Sequence, residues 1–296
     1  MKKIVSILLA VTAALLLFSS CNKKYDEIYN PKSRFSKIWF RSEVGDPDQV
    51  FTYNDKKLIT RIHNPKDDTY FNFEYNGKEK KVSKITHMND HGMAESIQLE
   101  YDDKDFVSRL EYTIDGALRQ TITFTRRNNH TPASMTAEYD KEFFANLDEI
   151  RSSSFYQTFV GMDESVVKEL AKMESKDLVF KSLTLLYFDE EKHNVTKTVT
   201  TLPEYHFVIT RNYNYDENLN PYFELPFAYG DVLSFSKNNK IHEKITTTQY
   251  GTISTTVDIQ YSYEYNEKKF PRRIITRSSE THNVPVNTYI LYVKEK

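Results

Sequence analysis

The stretch Tyr101-Asp102-Asp103-Lys104-Asp105-Phe106-Val107-Ser108-Arg109-Leu110 decides the fold, because the chain repeats it. It returns at Tyr53 as YNDKKLITRI and at Tyr265 as YNEKKFPRRI. In each copy an aromatic or aliphatic residue stands five after the tyrosine, an arginine eight after it, and Leu or Ile nine after it. Treating the four residues after the tyrosine as a hairpin loop pairs Tyr101 with Phe106, since loops of that length commonly join antiparallel strands. Side chains alternate between the two faces of a strand. That alternation collects Ile97, Leu99, Tyr101, Phe106 and Leu110 on one face and Gln98, Glu100, Val107 and Arg109 on the other. The other copies sort the same way. Phe51, Tyr53, Leu58 and Ile62 oppose Thr52, Ile59 and Arg61, and Tyr261, Tyr263, Tyr265, Phe270 and Ile274 oppose Ser262, Glu264 and Arg273. A helical period does not separate these residues with the same economy. The phrase is therefore a hairpin-building unit with its tyrosine facing the core and its arginine facing out.

Looser copies fill the intervals. Asn76-Gly77 and Asp115-Gly116 are hairpin-turn signals, and Leu185-Leu186-Tyr187 runs to Val195 and Val199 across a charged loop. Repetition at about one hairpin per unit implies a meander whose units bury their apolar faces against their neighbours. One stretch breaks the pattern. Asp140 precedes Phe143, Phe144, Leu147 and Ile150, and Asp163 precedes Val166, Val167, Leu170 and Met173. Each set has helical spacing and opens on an N-capping Asp. We expect two short helices, joined by residues 151–162, in an insertion over about 140–176 that packs on an edge or mouth of the sheet. Pro221 and Pro226 argue for a structured loop there and against a central strand. Residues 241–248, 252–264 and 270–278 resume the strands, and 288–294 reads as a terminal strand paired within the sheet. The expected fold is all-β: one large antiparallel meander of repeated hairpins, curled or barrel-like, with a short two-helix insertion. The polar outer face favours a soluble domain tethered to a membrane over a membrane barrel, which carries an apolar outer band.

The chain's start gives it an address. Met1-Lys2-Lys3 is a positive n-region, Ile4 to Leu17 is almost unbroken apolar sequence, and Ser19-Ser20 precede Cys21, the only cysteine. This is a secretory signal, too short and wrongly flanked for a membrane span. Leu17-Phe18-Ser19-Ser20-Cys21 resembles a bacterial lipobox, departing from its commonest form at Phe18. The resemblance implies cleavage before Cys21 and lipid attachment to it, which anchors a protein to a membrane. The expected organisation is a signal peptide over 1–20, a tether over 21–35 and a single β-rich domain over 36–296. Asn22 is not the Asp of an inner-membrane retention signal, so resemblance to that sorting rule implies the outer membrane, facing the periplasm or the cell surface. Lys24-Tyr25-Asp26-Glu27 loosely resembles a surface-export signal. With a single cysteine, disulfides play no part in holding the domain together. The net charge of −2 becomes more negative once Lys2 and Lys3 leave, which argues against nucleic acid as a partner.

The lipobox, the Tyr-Asp/Asn phrases, the order Tyr215-Asp216, Asn220-Pro221, Ser236-Lys237-Asn238-Asn239 and the late Tyr265-Asn266 with Phe270-Pro271 occur together. Together they resemble a domain-of-unknown-function family of Bacteroidetes lipoproteins with a porin-like β fold, and, more distantly, YD repeats. The resemblance spans about 36–296. It implies the fold and the envelope location, and brings no activity and no catalytic residues.

Chemistry-bearing motifs are sparse. His87 and His91 have H-x3-H spacing but sit around a turn, without the glutamate of a zinc protease. Asp216, Asn218 and Asn220 match the first oxygen-ligand spacings of a calcium loop. Pro221 replaces the glycine that loop needs and Phe227 its bidentate glutamate, so a turn with Asx hydrogen bonds competes with a weak metal site. Ser152-Ser153-Ser154 lacks a G-x-S-x-G context. No dinucleotide or phosphate-loop motif occurs, and no cofactor is expected. The repeat's tyrosines are explained as core. The loop rings Tyr222, Phe223, Phe227 and Tyr229 are not, and they are the candidate ligand-binding residues. The expected function is a non-catalytic envelope module that binds a glycan, a lipid or a protein. The competing readings are a hydrolase with paired carboxylates in a cleft and a purely structural component of an outer-membrane complex.

Overall fold

The computed structural model describes residues 34–77, 81–89, 92–103, 106–127, 132–161, 180–189, 191, 193–223, 225, 229 and 233–294. Cys21 and the helix expected from Asp163 onward lie outside them. The strands follow one another as β1 (Phe35–Phe40), β2 (Gln49–Tyr53), β3 (Ile59–Asn64), β4 (Thr69–Tyr75), β5 (Val82–Met88), β6 (Ala94–Tyr101), β7 (Val107–Ile114) and β8 (Ala117–Arg126). They continue as β9 (Pro132–Tyr139), β10 (Phe180–Asp189), β11 (Asn194–Leu202), β12 (Phe207–Leu219), β13 (Asn238–Gln249), β14 (Thr252–Tyr265), β15 (Pro271–Ser278) and β16 (Val286–Tyr292). Each is antiparallel to its neighbour in sequence. The terminal strand β16 pairs with β1, from Phe35↔Tyr292 to Phe40↔Thr288, and closes a sixteen-stranded barrel.

The repeated phrase builds hairpins, with one correction. Its tyrosine pairs with the residue six after it: Tyr53↔Ile59, Tyr101↔Val107 and Tyr265↔Pro271, each at a register shift. The loops are thus one residue longer than expected, and the Asx after the tyrosine explains why. Asn54 Oδ1 accepts from the backbone N–H of Lys56 and Leu58, both at 3.0 Å. Asn266 Oδ1 repeats this with Lys268 and Phe270, also at 3.0 Å, and Asp102 Oδ1 accepts from Phe106 at 2.9 Å. These oxygens satisfy loop donors that would otherwise need water. The bulge turns Ile59 and Val107, assigned by strict alternation to the polar face, back against the core.

A tyrosine at the strand end also clasps the hairpin that precedes the loop; in the third copy Tyr263 does this and Tyr265 bonds Asp216. Tyr53, Tyr75 and Tyr101 donate their hydroxyls to the carbonyls of Phe35, Ile59 and Val82 at 2.8, 2.7 and 2.7 Å. Tyr215, Tyr263 and Tyr292 do the same to Val195, Lys240 and Pro271 at 2.6, 2.5 and 2.9 Å. At β8 Arg126 takes this place, with Nη2 donating to Val107 at 3.0 Å. In each case the side chain lies at or near the end of a hairpin's second strand and reaches the start of its first. The result is a collar of side-chain clasps around the mouth where the chain enters.

A sixteen-stranded barrel is wide enough to hold an aqueous channel unless side chains fill it. This one is filled from both ends. At the far mouth α1 (Lys141–Ala145), α2 (Leu147–Ser152) and α3 (Ser154–Phe159) push rings into the lumen. Phe155 and Phe159 meet Phe71 at centroid distances of 5.4 and 5.3 Å, Tyr156 meets Tyr112 at 4.9 Å, and Phe144 meets Phe180 at 4.3 Å. Such edge-to-face pairs add to the area they bury. Asp140 caps α1 as expected, accepting from Glu142 N at 2.8 Å. Helix α3 corrects the expected linker over 151–162: Ser153 caps it by accepting from Tyr156 N at 3.1 Å, and Phe155, Tyr156 and Phe159 form its buried stripe. At the entry mouth the loop after β12 packs inward, with Tyr222 on Phe35 at 4.9 Å and Tyr229 on Phe124 at 5.6 Å.

The outer face is polar. Gln98, Glu100, Thr123, Thr125 and Lys181 are exposed on it, and ion pairs such as Lys181–Glu138 (2.5 Å) and Arg273–Glu264 (2.8 Å) run between strands. Leu183, Leu185 and Tyr187 on β10 form a short apolar stripe, and Phe40, Leu118, Ile241, Ile253, Val286 and Leu291 are exposed apolar residues on other strands.

Candidate functional site

Among the described residues two carboxylates are buried, Glu243 on β13 and Glu95 on β6. Glu243 on β13 is 1% exposed and lies between cations: Lys240 Nζ at 2.6 Å and the Arg211 guanidinium, with the Tyr261 hydroxyl donating at 3.1 Å. Lys240 also stands over the rings of Tyr213 and Tyr261, 5.4 and 5.0 Å from their centroids. Burial alone would push the Glu243 carboxyl up, but Lys240 and Arg211 outweigh it and hold it well below the usual carboxylate range. This is a closed, self-satisfied network.

Glu95 on β6 is different. It is 2% exposed, yet its hydrogen-bond donors are two neutral hydroxyls: Tyr112 Oη at 2.6 Å, and Ser153 Oγ at 2.8 and 2.9 Å from the two carboxylate oxygens. Burial first, and then Glu95 beside it, push the Tyr112 phenol well above its ordinary value, so it remains a donor. His87 is the cross-strand partner of Glu95 and is 6% exposed. Its Nδ1 lies 3.2 Å from the Tyr70 carbonyl, which can only accept, so Nδ1 carries the proton in the neutral ring. Its Nε2 lies 3.8 Å from Glu95 Oε2, beyond hydrogen-bond length. Phe155 stacks on the imidazole at 5.6 Å.

These groups line a cleft of about 250 Å³ at the far mouth. Asp67 and Thr69 come from the β3–β4 turn, Asn89 and Met93 from the β5–β6 turn, and Glu149, Ser152 and Ser154 from the helices. The arrangement is not a nucleophilic triad. There the imidazole sits between hydroxyl and acid; here the acid sits between hydroxyl and imidazole, and the Ser153 hydroxyl is already committed as donor to Glu95 and as cap to α3.

The other candidates are placed as follows. Tyr229 is buried against Phe124 and Phe235, and Tyr222 is packed on Phe35, so both rings serve as stoppers of the entry mouth. Phe223 is half-buried, and Phe227 and His91 lie outside the described residues. Asp216 and Asn218 do come together, but their oxygens hold protein donors. Asp216 Oδ1 accepts from Asn218 N at 2.9 Å, Asp216 Oδ2 accepts from the Tyr265 hydroxyl, and Asn218 O accepts from Asn238 Nδ2 at 3.1 Å. Asn220 turns away, donating to Ser236 O at 2.9 Å and accepting from Tyr222 N at 2.9 Å. This is the Asx-bonded turn. Among the described residues no group of three His, Cys, Asp or Glu is placed to hold a metal ion.

No protein-family model matches this chain, and no curated protein matches it. Solved structures do. A porin-like protein from Bacteroides vulgatus is 12% identical with a TM-score of 0.47, covering 89% of this chain and 100% of its own. A porin-like protein from Bacteroides uniformis is 10% identical with a TM-score of 0.45, covering 88% of this chain and 96% of its own.

Proposed function

We propose that this chain is a lipid-anchored protein of the bacterial outer membrane that binds a glycan without turning it over. The observation that carries the reading is the cleft at the far mouth: open to solvent, about 250 Å³ in volume, and lined by carboxylate, amide and hydroxyl groups suited to accepting and donating hydrogen bonds with a sugar. Two further features support it. The lumen is packed with aromatic rings at both mouths, which suits neither conduction nor the holding of an acyl chain. The outer wall is polar, which suits a domain held beside the membrane by a lipidated Cys21. The binding surface thus lies at the mouth opposite Tyr222 and Tyr229, whose rings are occupied in packing. A hydrolase needs two carboxyls free to act on either side of the scissile bond, and the most buried one here is bonded to Tyr112 and Ser153.

Two measurements test the proposal. Metabolic labelling with a fatty-acid probe should mark the wild-type chain, and Cys21→Ser should abolish the label; equal labelling of the variant refutes the anchor. Detergent-purified full-length protein applied to a panel of immobilised bacterial and dietary glycans should retain at least one, intact after prolonged incubation. Retention of none refutes glycan binding, and cleavage of the retained glycan refutes the non-catalytic reading.

A further inference from the structure

The contrast between the two buried carboxylates identifies the ligand's chemistry. A buried carboxylate is costly unless it is paired with opposite charge. Glu243 has Lys240 and Arg211. Glu95, as deeply buried, has only hydroxyl donors and an imidazole nitrogen 3.8 Å away. Among the described residues the cleft does not supply the missing charge: its lining includes Asp67, Glu95 and Glu149 and neither lysine nor arginine. His87 adds a pointer of its own. With Nδ1 donating to the Tyr70 carbonyl, Nε2 has no hydrogen-bond partner among the described residues; Glu95 Oε2 lies 3.8 Å away, an ion pair when the ring is protonated and a second open acceptor when it is not, and both residues line the same cleft. Two acceptors 3.8 Å apart are spaced so that one donor-rich atom can bond to both.

We infer that the cleft takes a primary ammonium group, held between Glu95 Oε2 and His87 Nε2 and attracted by Asp67 and Glu149 at the entrance. Resting on the glycan reading above, this makes the ligand an amino sugar with a free amine. An ammonium has three N–H donors and a full positive charge, so it satisfies both acceptors and neutralises Glu95 in one step.

The test is calorimetric titration of the detergent-purified full-length chain at neutral pH with glucosamine, N-acetylglucosamine, glucose and putrescine. Binding of glucosamine with neither N-acetylglucosamine nor glucose bound supports the inference. Equal binding of all three sugars overturns it and leaves glycan binding standing. Putrescine binding with no sugar bound supports the ammonium site and overturns the sugar. Binding of none overturns the ammonium site, and a glycan retained by the panel would then stand by itself. Glu149→Gln, at the entrance, should weaken ammonium binding roughly tenfold, the loss of about one charge-assisted contact, with unfolding unchanged. Unaltered affinity in both Glu149→Gln and Glu95→Gln overturns the placement. Retained folding of Glu95→Gln is checked by its near-ultraviolet circular dichroism.

Discussion

The two mouths of the barrel are closed by different means. The entry mouth is stopped by the rings of Tyr222 and Tyr229 and held at its rim by what the repeat already contains: an Asx oxygen that completes each tight loop and a tyrosine hydroxyl that clasps the start of the hairpin before it. The far mouth is closed by an insertion whose helices α1, α2 and α3 send rings into the lumen against β4, β7 and β10. A repeated device distributes stability in many small parts, each within one hairpin. An insertion concentrates it in a few large contacts between parts distant in sequence. A cleft lies at its margin, lined by residues of α2 and α3 and of the neighbouring strands and turns. That difference puts the packing problem and the candidate site at the same end of the molecule.

The comparison breaks most visibly at Phe155. Its ring is fully buried and touches Phe71, Phe159 and His87. Phe155→Ala should destabilise the fold by about 3–5 kcal/mol, as transfer and cavity costs add. Urea denaturation checks this. A loss under about 1 kcal/mol, the scale of an exposed substitution, would mean that the helices lie on the barrel without sealing it.

Between the mouths, Glu243→Gln comes next. It keeps the shape and removes the charge that Lys240 and Arg211 share. The expected loss is about 3 kcal/mol, at the low end for a broken buried pair because Arg211 is 16% exposed. The same residue sets an acid sensitivity. Its folded pKa lies below the ordinary 4.5, at about 2, so its contribution is complete above that ordinary value. The contribution is lost as pH falls from about 4.5 towards 2. Stability followed by denaturation across that interval should fall more steeply in the wild type than in Glu243→Gln. Parallel curves would show that Glu243 is not the group responsible.

How much of this was legible in the chain follows the same division. The hairpins were, because Tyr, Asx, the following aliphatic residue and Arg lie within ten residues and each has a local task. The bulge was not, because it depends on Asn54 and Asp102 bonding to N–H groups four residues on, which alternation ignores. Closure of the barrel rests on β1 meeting β16, a pairing between the two ends of the domain that no local pattern specifies. Helix α3 did carry a signal, Ser153 followed by apolar residues at helical spacing, hidden inside a run of serines that reads as a linker. The cleft was the least legible. His87 and Glu95 face each other across neighbouring strands, while Ser153 is 58 residues from Glu95 in sequence and reaches it only because the insertion folds into the mouth.

The smallest expected effects sharpen the comparison most, because they ask whether the clasps are independent. Tyr101→Phe removes one hydroxyl donor from Val82 O and leaves the ring packed. It should cost about 1 kcal/mol, the net contribution of a hydrogen bond whose acceptor loses a partner near the barrel rim. Tyr53→Phe should cost a similar amount through Phe35 O. The two clasps share no partner, so the double variant should lose the sum to within about 0.5 kcal/mol. A double loss well above the sum would mean that the collar acts as one cooperative ring. The entry mouth would then resemble the inserted mouth, with its stability concentrated and not parcelled out hairpin by hairpin.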